Sequence, residues 1–184
     1  FAAHFINTVS PRFLWEIVEG WHHMVPEPVR AELRNKYHAG CSAGILNAPD
    51  VSYNPETDDS LVANYTDEDF IAGKAANKAA LQRELGLEED ETAPIFFWPS
   101  RLDPIQKGPE LLTSILHRTV SDYWNRNFQV VVIADGPHQQ WLNDIVGRFG
   151  LHERVAIRSF DERLSRLAFA GSDFMLMPSQ FEPC

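Results

Sequence analysis

The sequence lacks the marks of several protein classes. Its 184 residues include only two cysteines, Cys41 and Cys184, which make no disulfide framework and favour a reducing, cytoplasmic setting. Its longest apolar run, 130–134, is strand-sized, whereas a membrane helix needs roughly 20 apolar residues. The net charge is -10, and lysine and arginine form no basic stripe. We therefore expect neither a nucleic acid nor a membrane as a partner.

What the sequence does contain is typical of a globular α/β protein, with 44% hydrophobic and 23% charged residues. Continuous apolar runs alternate with helical patterns in its second half. The predicted strands are 94–98, 128–134, 155–158 and 173–178, and the predicted helices are 109–119, 137–149 and 161–170. Apolar strands of this kind are buried on both faces, so the pattern predicts a Rossmann-like, doubly wound parallel sheet.

The first half predicts a second, smaller arrangement followed by a junction. The predicted elements are a strand at 3–10, helices at 11–19 and 28–36, a strand at 41–47 and a long helix from Thr66 to Leu85. Proline, asparagine and aspartate dominate 48–59, which is the composition of a linker. We therefore place one domain at 1–50 and the start of another at 51–184. Neither end has the strands or helices needed to cover it, so we expect a part of a larger fold.

Ligands of open α/β sheets bind beyond the carboxyl ends of the strands. The loop after the first apolar strand carries two cations, Arg101 and Lys107. Gly108 then opens a helix, so backbone N–H groups and cations share one space, which favours a diphosphate. A solvated surface loop explains this segment equally well.

Two further loops fall at the same edge. Gly136 follows the second apolar strand and permits a ligand to approach the backbone closely, although a tight βα turn is the simpler interpretation. Glu182 follows the last strand, where its carboxylate can accept hydrogen bonds from sugar or ribose hydroxyls. The alternative for Glu182 is an acid that complements a helix dipole.

Three other patterns have simpler explanations than a site. The acids at 67–69 resemble a metal motif, but at a predicted helix start they are better explained as first-turn acids. His22 and His23 lack partners at metal spacing, so a surface or interface pair is expected. Cys184 has no base nearby in sequence, so we do not expect a nucleophile.

These segments resemble the glycogen and the bacterial or plastid starch synthases over nearly the whole chain. The motifs that carry the likeness are Thr8–Pro11, Gly44–Asn47 with Asp50, Lys74–Leu87, Ser100–Leu102, Gln106–Gly108, Ala170–Asp173, Met177–Ser179 and Phe181–Cys184. The loop with Gln106–Gly108 and the segment ending in Phe181–Cys184 are the most specific of them.

The resemblance implies a GT-B fold, in which two Rossmann-like domains enclose the active site. It implies transfer of glucose, with retention, from ADP-glucose or UDP-glucose to an α-1,4-glucan acceptor, in the cytoplasm or in a plant plastid. Arg101 and Lys107 would bind the donor phosphates and neutralise the departing diphosphate, so no metal or other cofactor is required. Glu182 would contact the donor sugar, and Gly108 and Gly136 would complete the donor site.

Some features depart from the family pattern. The loop from Arg101 to Lys107 is one residue longer because of 103–105, Ala48 replaces a glycine, and Gln180 replaces an arginine. The family's N-terminal lysine-glycine-glycine loop is absent, so we expect little or no activity from the chain alone. The alternatives are a related GT-B transferase with a sucrose-type or lipid acceptor, and a non-catalytic remnant that binds nucleotide or glucan.

Overall fold

A computed structural model describes residues 3–184 of the chain. Their contacts form two compact units. The first contains the described residues up to Asp50 together with Phe181–Cys184, and the second contains Val51–Gln180. This division by contacts leaves the assignment of 1–50 and 51–184 to the two domains of a GT-B enzyme as a prediction.

The first unit is built on a pair of parallel strands. Ile6 of β1 lies opposite Ser42 of β2. The Ser10 side chain accepts a hydrogen bond from the Phe13 N–H, 3.2 Å away, and so caps α1 as the Ser-Pro pair predicts. The elements of this unit are β1 (Ile6–Val9), α1 (Pro11–Val18), α2 (Glu27–His38) and β2 (Ser42–Ile45).

The second unit contains a four-stranded parallel sheet. Its elements are α3 (Phe70–Leu85), β3 (Ile95–Trp98), α4 (Pro109–Asp122), a 3₁₀ turn (Trp124–Arg126), β4 (Gln129–Ile133), α5 (His138–Phe149), β5 (Val155–Arg158), α6 (Glu162–Gly171) and β6 (Phe174–Met175). The strand order is β5-β4-β3-β6. The predicted parallel α/β sheet is confirmed.

Helices cover both faces of this sheet because successive strand residues point to opposite sides. Trp98 and Val132 pack with Leu116 of α4 and Leu142 of α5 in one buried cluster. On the other face, Phe97 packs in a second buried cluster that also contains residues of α3 and α6. The continuous apolar runs of β3, β4 and β5 reflect this double burial. The expectation is wrong for β6, because Phe174 and Met175 are exposed.

The long helix α3 begins later than its sequence predicts. It starts at Phe70 rather than at Thr66. The Asp69 carboxylate accepts hydrogen bonds from the N–H and the hydroxyl of Thr66, at 2.7 and 3.0 Å, in a turn that precedes the helix. The acids at 67 and 68 therefore lie before the helix, and the interpretation as first-turn acids is wrong for them.

The linker segment after residue 50 is held against α6. The Arg166 guanidinium donates to the Ser52 carbonyl at 2.7 Å and to the Asp58 carboxylate at 3.0 Å. It also lies over the Tyr53 ring, 3.9 Å from the ring centroid. The segment whose composition predicts a linker is therefore bonded to α6 within the second unit.

The amino ends of the strands are joined by buried polar groups. Gln82 donates to the Gln129 side chain at 3.1 Å, and both residues are buried. Arg154, 4% exposed, pairs with Glu88 and donates to the Asn127 side chain at 2.8 Å. This network occupies the edge of the sheet opposite to the one where the sequence places its ligand.

Candidate donor-phosphate site

Three loops meet at the carboxyl edge of the four-stranded sheet. The Leu102 N–H in the loop after β3 donates to the Asp135 carbonyl in the loop after β4, at 3.1 Å. The Gln180 N–H after β6 donates to the Gln106 carbonyl, at 2.8 Å. These bonds join the loop of Arg101 and Lys107 to the loop of Gly136 and to Gln180, two residues before Glu182.

Two glycines allow this close contact between loops. Gly108 has φ 71°, and a Cβ there would lie 2.5 Å from the Pro178 carbonyl oxygen. Gly136 has φ 147°, and its Cβ would lie 2.8 Å from the Leu102 Cβ. Both positions therefore exclude a side chain, because backbone conformation and space each oppose it. In the described residues, these glycines allow the loops to pack against each other. Their role in ligand binding stays a prediction.

The two predicted phosphate-binding cations lie on one of these loops. Arg101 is exposed, and Lys107 is half-buried. Gly108 occupies the N-cap of α4, where it has no side chain to accept hydrogen bonds from the first-turn amides. A helix start of this kind, beside two cations, is suited to an anion.

The loop between Arg101 and Lys107 contains a turn. The Asp103 carboxylate oxygen Oδ1 accepts hydrogen bonds from the N–H groups of Ile105 and Gln106, at 2.9 and 2.8 Å. The Asp103 carbonyl accepts from the Lys107 N–H, at 3.0 Å. From the sequence, 103–105 is connected only with the length of the loop, although an aspartate before a proline is a recognised signal for such turns.

Glu182 belongs by its contacts to the first unit, whereas Arg101, Lys107, Gly108 and Gly136 belong to the second. Within the first unit, the neighbouring Phe181 ring lies edge-on to the His22 ring, with centroids 5.2 Å apart. The role of Glu182 toward a donor sugar stays a prediction.

His22 is packed more closely than the expected surface pair. Its Nε2 lies 3.0 Å from the Glu16 carboxylate, and its ring is edge-on to Phe13 at 4.8 Å. The hydrogen bonds of Arg12 and of His22 hold the pKa of the Glu16 carboxyl below its usual range. His23 is exposed and His22 is half-buried, and the alternative of an interface pair stays a prediction.

A buried histidine that the sequence did not single out lies at the start of α5. His138 is 5% exposed, and its Nε2 lies 3.8 Å from the Glu110 carboxylate of α4. Its ring is edge-on to Trp141, with centroids 4.8 Å apart. A lone histidine after a glycine and a proline carries no spacing signal, so sequence reasoning had nothing by which to find it.

Within residues 3–184, no group of three or more histidine, cysteine, aspartate or glutamate side chains is arranged to hold a metal ion. Over the same residues, no helix is long and apolar enough to cross a membrane. Cys184 is exposed and Cys41 is half-buried, and both are free thiols.

A large cavity of the second unit lies away from the three loops. It has a volume of about 930 Å³ and lies between α4 and the sheet, near the amino ends of β3 and β4. Apolar side chains such as Phe96, Phe128 and Phe174 line it. It therefore does not enlarge the candidate site, which lies at the opposite ends of these strands.

Comparison with known proteins identifies relatives over the whole chain. The chain is 38% identical to a glycogen synthase of Exiguobacterium sibiricum over 184 residues, which are 99% of this chain and 36% of that protein. It is 40% identical to soluble starch synthase 3a of rice over 155 residues, 80% of this chain and 8% of that protein. No protein-family model matches the chain.

A solved structure supports the same relationship. The catalytic domain of starch synthase IV from Arabidopsis thaliana, bound to ADP and acarbose, matches with a TM-score of 0.80 and 32% identity. The match covers 99% of this chain and 36% of that one. The chain thus spans about a third of the length of the glycogen synthases and of the structure that it matches.

Proposed function

We propose that this chain, which belongs to the glycogen and starch synthase family, supplies the donor-phosphate side of a retaining glucosyltransferase. The complete enzyme would transfer glucose from a nucleotide sugar to the end of an α-1,4-glucan. Arg101 and Lys107 would bind the donor diphosphate and stabilise it as it departs.

One observation carries this proposal. The loop with Arg101 and Lys107 is bonded to its two neighbouring loops at the carboxyl edge of the sheet, directly before the start of α4. Two cations beside uncapped helix amides are suited to a diphosphate. Such cations can offset the charge of a leaving diphosphate, so we propose that no divalent metal takes part.

ADP-glucose is the donor that we favour. The matched starch synthase IV was solved with ADP. UDP-glucose is the competing donor, and an assay that offers both nucleotide sugars decides between them. We propose a cytoplasmic site of action, or a plastid one in a plant.

We propose that binding of the glucan acceptor requires the longer protein. The chain spans 36% of its glycogen synthase relative, so we expect donor binding, but no glucose transfer, from the 184-residue chain alone. We propose that Glu182 contacts the donor sugar in the complete enzyme.

ADP binding to the chain tests the phosphate role, with isothermal titration calorimetry as the measurement. We expect Arg101→Ala and Lys107→Ala each to weaken binding about 10- to 150-fold, because charge-assisted contacts contribute about 1.5–3 kcal/mol. Arg118→Ala is the matched control, since Arg118 lies on α4 with its side chain 86% exposed. A loss of only two- to threefold in both loop variants would contradict the phosphate role.

A chimaera tests catalysis. This chain replaces the matching segment of the Exiguobacterium glycogen synthase, and glucose incorporation into glycogen is measured with ADP-glucose and with UDP-glucose. We expect transfer that falls with Lys107→Ala. A folded chimaera that binds ADP but transfers no glucose to glycogen would favour a non-catalytic segment or a different acceptor.

A further inference from the structure

The loop between Arg101 and Lys107 is organised by a single side chain. Asp103 Oδ1 accepts from the N–H groups of Ile105 and Gln106, and its carbonyl accepts from the N–H of Lys107. Three consecutive N–H groups of the loop are therefore bonded to one residue. Pro104 fixes one further φ angle within the same turn.

The two ends of this turn are held by the neighbouring loops. On one side, Leu102 is fully buried and donates its N–H to the Asp135 carbonyl. On the other side, the Gln106 carbonyl accepts from Gln180, and Gly108 lies against the Pro178 carbonyl. These anchors hold the two ends of the turn, and between them Asp103 accepts the N–H groups of Ile105 and Gln106.

The position of Lys107 follows from this geometry. Its backbone is held by the Asp103 carbonyl and by the residues on either side, so its side chain extends from one fixed place at the start of α4. Without the Asp103 side chain, two N–H groups lose their acceptor and the turn gains conformational freedom. A ligand that meets Lys107 would then have to order the turn as it binds.

We propose that Asp103 is a positioning residue for the donor diphosphate and acts through the backbone of Lys107. This inference rests on the proposed function of the loop. The negative charge of Asp103 does not itself favour an anionic ligand, so its benefit is the hydrogen-bond acceptor that shapes the turn. An asparagine provides the same acceptor without the charge.

ADP titrations on the 184-residue chain separate these two properties. We expect Asp103→Ala to weaken ADP binding about tenfold, because binding must then order the turn. We expect Asp103→Asn to bind ADP as tightly as the unaltered chain or somewhat more tightly, because it keeps Oδ1 and removes a repulsive charge. A merely electrostatic role would move the two variants in the same direction.

The matched control is Asn54→Ala. Asn54 forms the same kind of turn elsewhere in the second unit, since its Oδ1 accepts from the Glu56 N–H at 3.0 Å and its carbonyl accepts from the Asp58 N–H at 2.9 Å. This variant should leave ADP affinity unchanged. Amide hydrogen exchange then reports on the turn, and we expect faster exchange at Gln106 and Lys107 in Asp103→Ala but not in Asp103→Asn.

The outcomes distinguish failure of this inference from failure of the proposed function on which it rests. If Lys107→Ala loses ADP binding while Asp103→Ala does not, the positioning role is overturned and the phosphate role stands. If Asp103→Asn weakens binding as much as Asp103→Ala, the acceptor explanation is overturned. If the unaltered chain binds no ADP, the proposed function fails and the positioning role with it, even where amide exchange reports the turn.

Discussion

At the scale of the residue, the carboxyl edge of the sheet depends on positions that admit no side chain. Gly108 and Gly136 each face backbone or Cβ atoms of a neighbouring loop within 3 Å of where a Cβ would lie. The sequence indicates that other atoms come close to the backbone at these two glycines. It does not indicate that this partner is another loop of the same chain, because Pro178 is distant from Gly108 in sequence.

Replacing Gly108 by alanine should destabilise the second unit by about 1–3 kcal/mol, because its φ is positive and the Pro178 carbonyl blocks the new Cβ. Gly147→Ala is the control, since it lies within α5 and nothing stands within 4 Å of its Cβ position. That change should stabilise by about 0.5–1 kcal/mol. Urea unfolding measures both, and equal effects of the two variants would contradict the account of Gly108.

At the scale of the element, contacts between α3 and the end of α6 account for two of the family motifs. Lys78 of α3 forms an ion pair at 2.9 Å with Asp173, which follows α6. Lys74 donates to the Ala170 and Ser172 carbonyls, at 2.8 and 3.0 Å. Burial lowers the pKa of the Lys74 ammonium, which the charge of Asp173 partly offsets. The motifs at 74–87 and 170–173 are therefore bonded to each other through Lys74 and Lys78.

Removing one partner of this pair should cost stability. Lys78→Ala leaves the Asp173 carboxylate with the Ile95 N–H but without its cation, and we expect a loss of about 2 kcal/mol, reduced because Asp173 is partly exposed. Arg83→Ala breaks an exposed pair on the same helix and should cost less than about 0.5 kcal/mol. The free energies of unfolding of the two variants test this, and similar values would show that the Lys78 pair is no more than a surface contact.

Prediction from sequence succeeds where a single local signal marks the end of an element, and it fails where a competing turn or a contact with another strand sets the boundary. Glycine after α3 and proline at the start of α4 mark those boundaries correctly. The start of α3 is wrong because Thr66 and Asp69 bond to each other before the helix begins. The last strand is shorter than 173–178 because only Phe174 and Met175 extend the pairing with β3.

At the scale of the whole molecule, low pH should weaken the polar network at the amino edge of the sheet. The Asp90 carboxylate accepts hydrogen bonds from the Asn127 amide and from Thr92, which lower its pKa from 3.8 to about 2. A carboxyl group with a lowered pKa stabilises the fold above its unfolded pKa. That contribution is lost as pH falls from about 4 towards 2.

The pH dependence can be assigned with one variant. Asp90→Asn should be less stable than the unaltered chain at pH 6, by roughly 1 kcal/mol after solvent screening, and the difference should shrink as pH falls below about 4. Urea unfolding at several pH values measures it. A difference that stays constant down to pH 2.5 would show that the charge of Asp90 contributes nothing.

The return of Phe181 to the first unit has a consequence for the order of folding. The whole of Val51–Gln180 is synthesised after the His22 ring and before Phe181. The first unit therefore cannot gain its contacts with Phe181 on the ribosome until the second unit has been translated. A ribosome that pauses within 51–180 would leave the His22 ring with Phe13 but without Phe181.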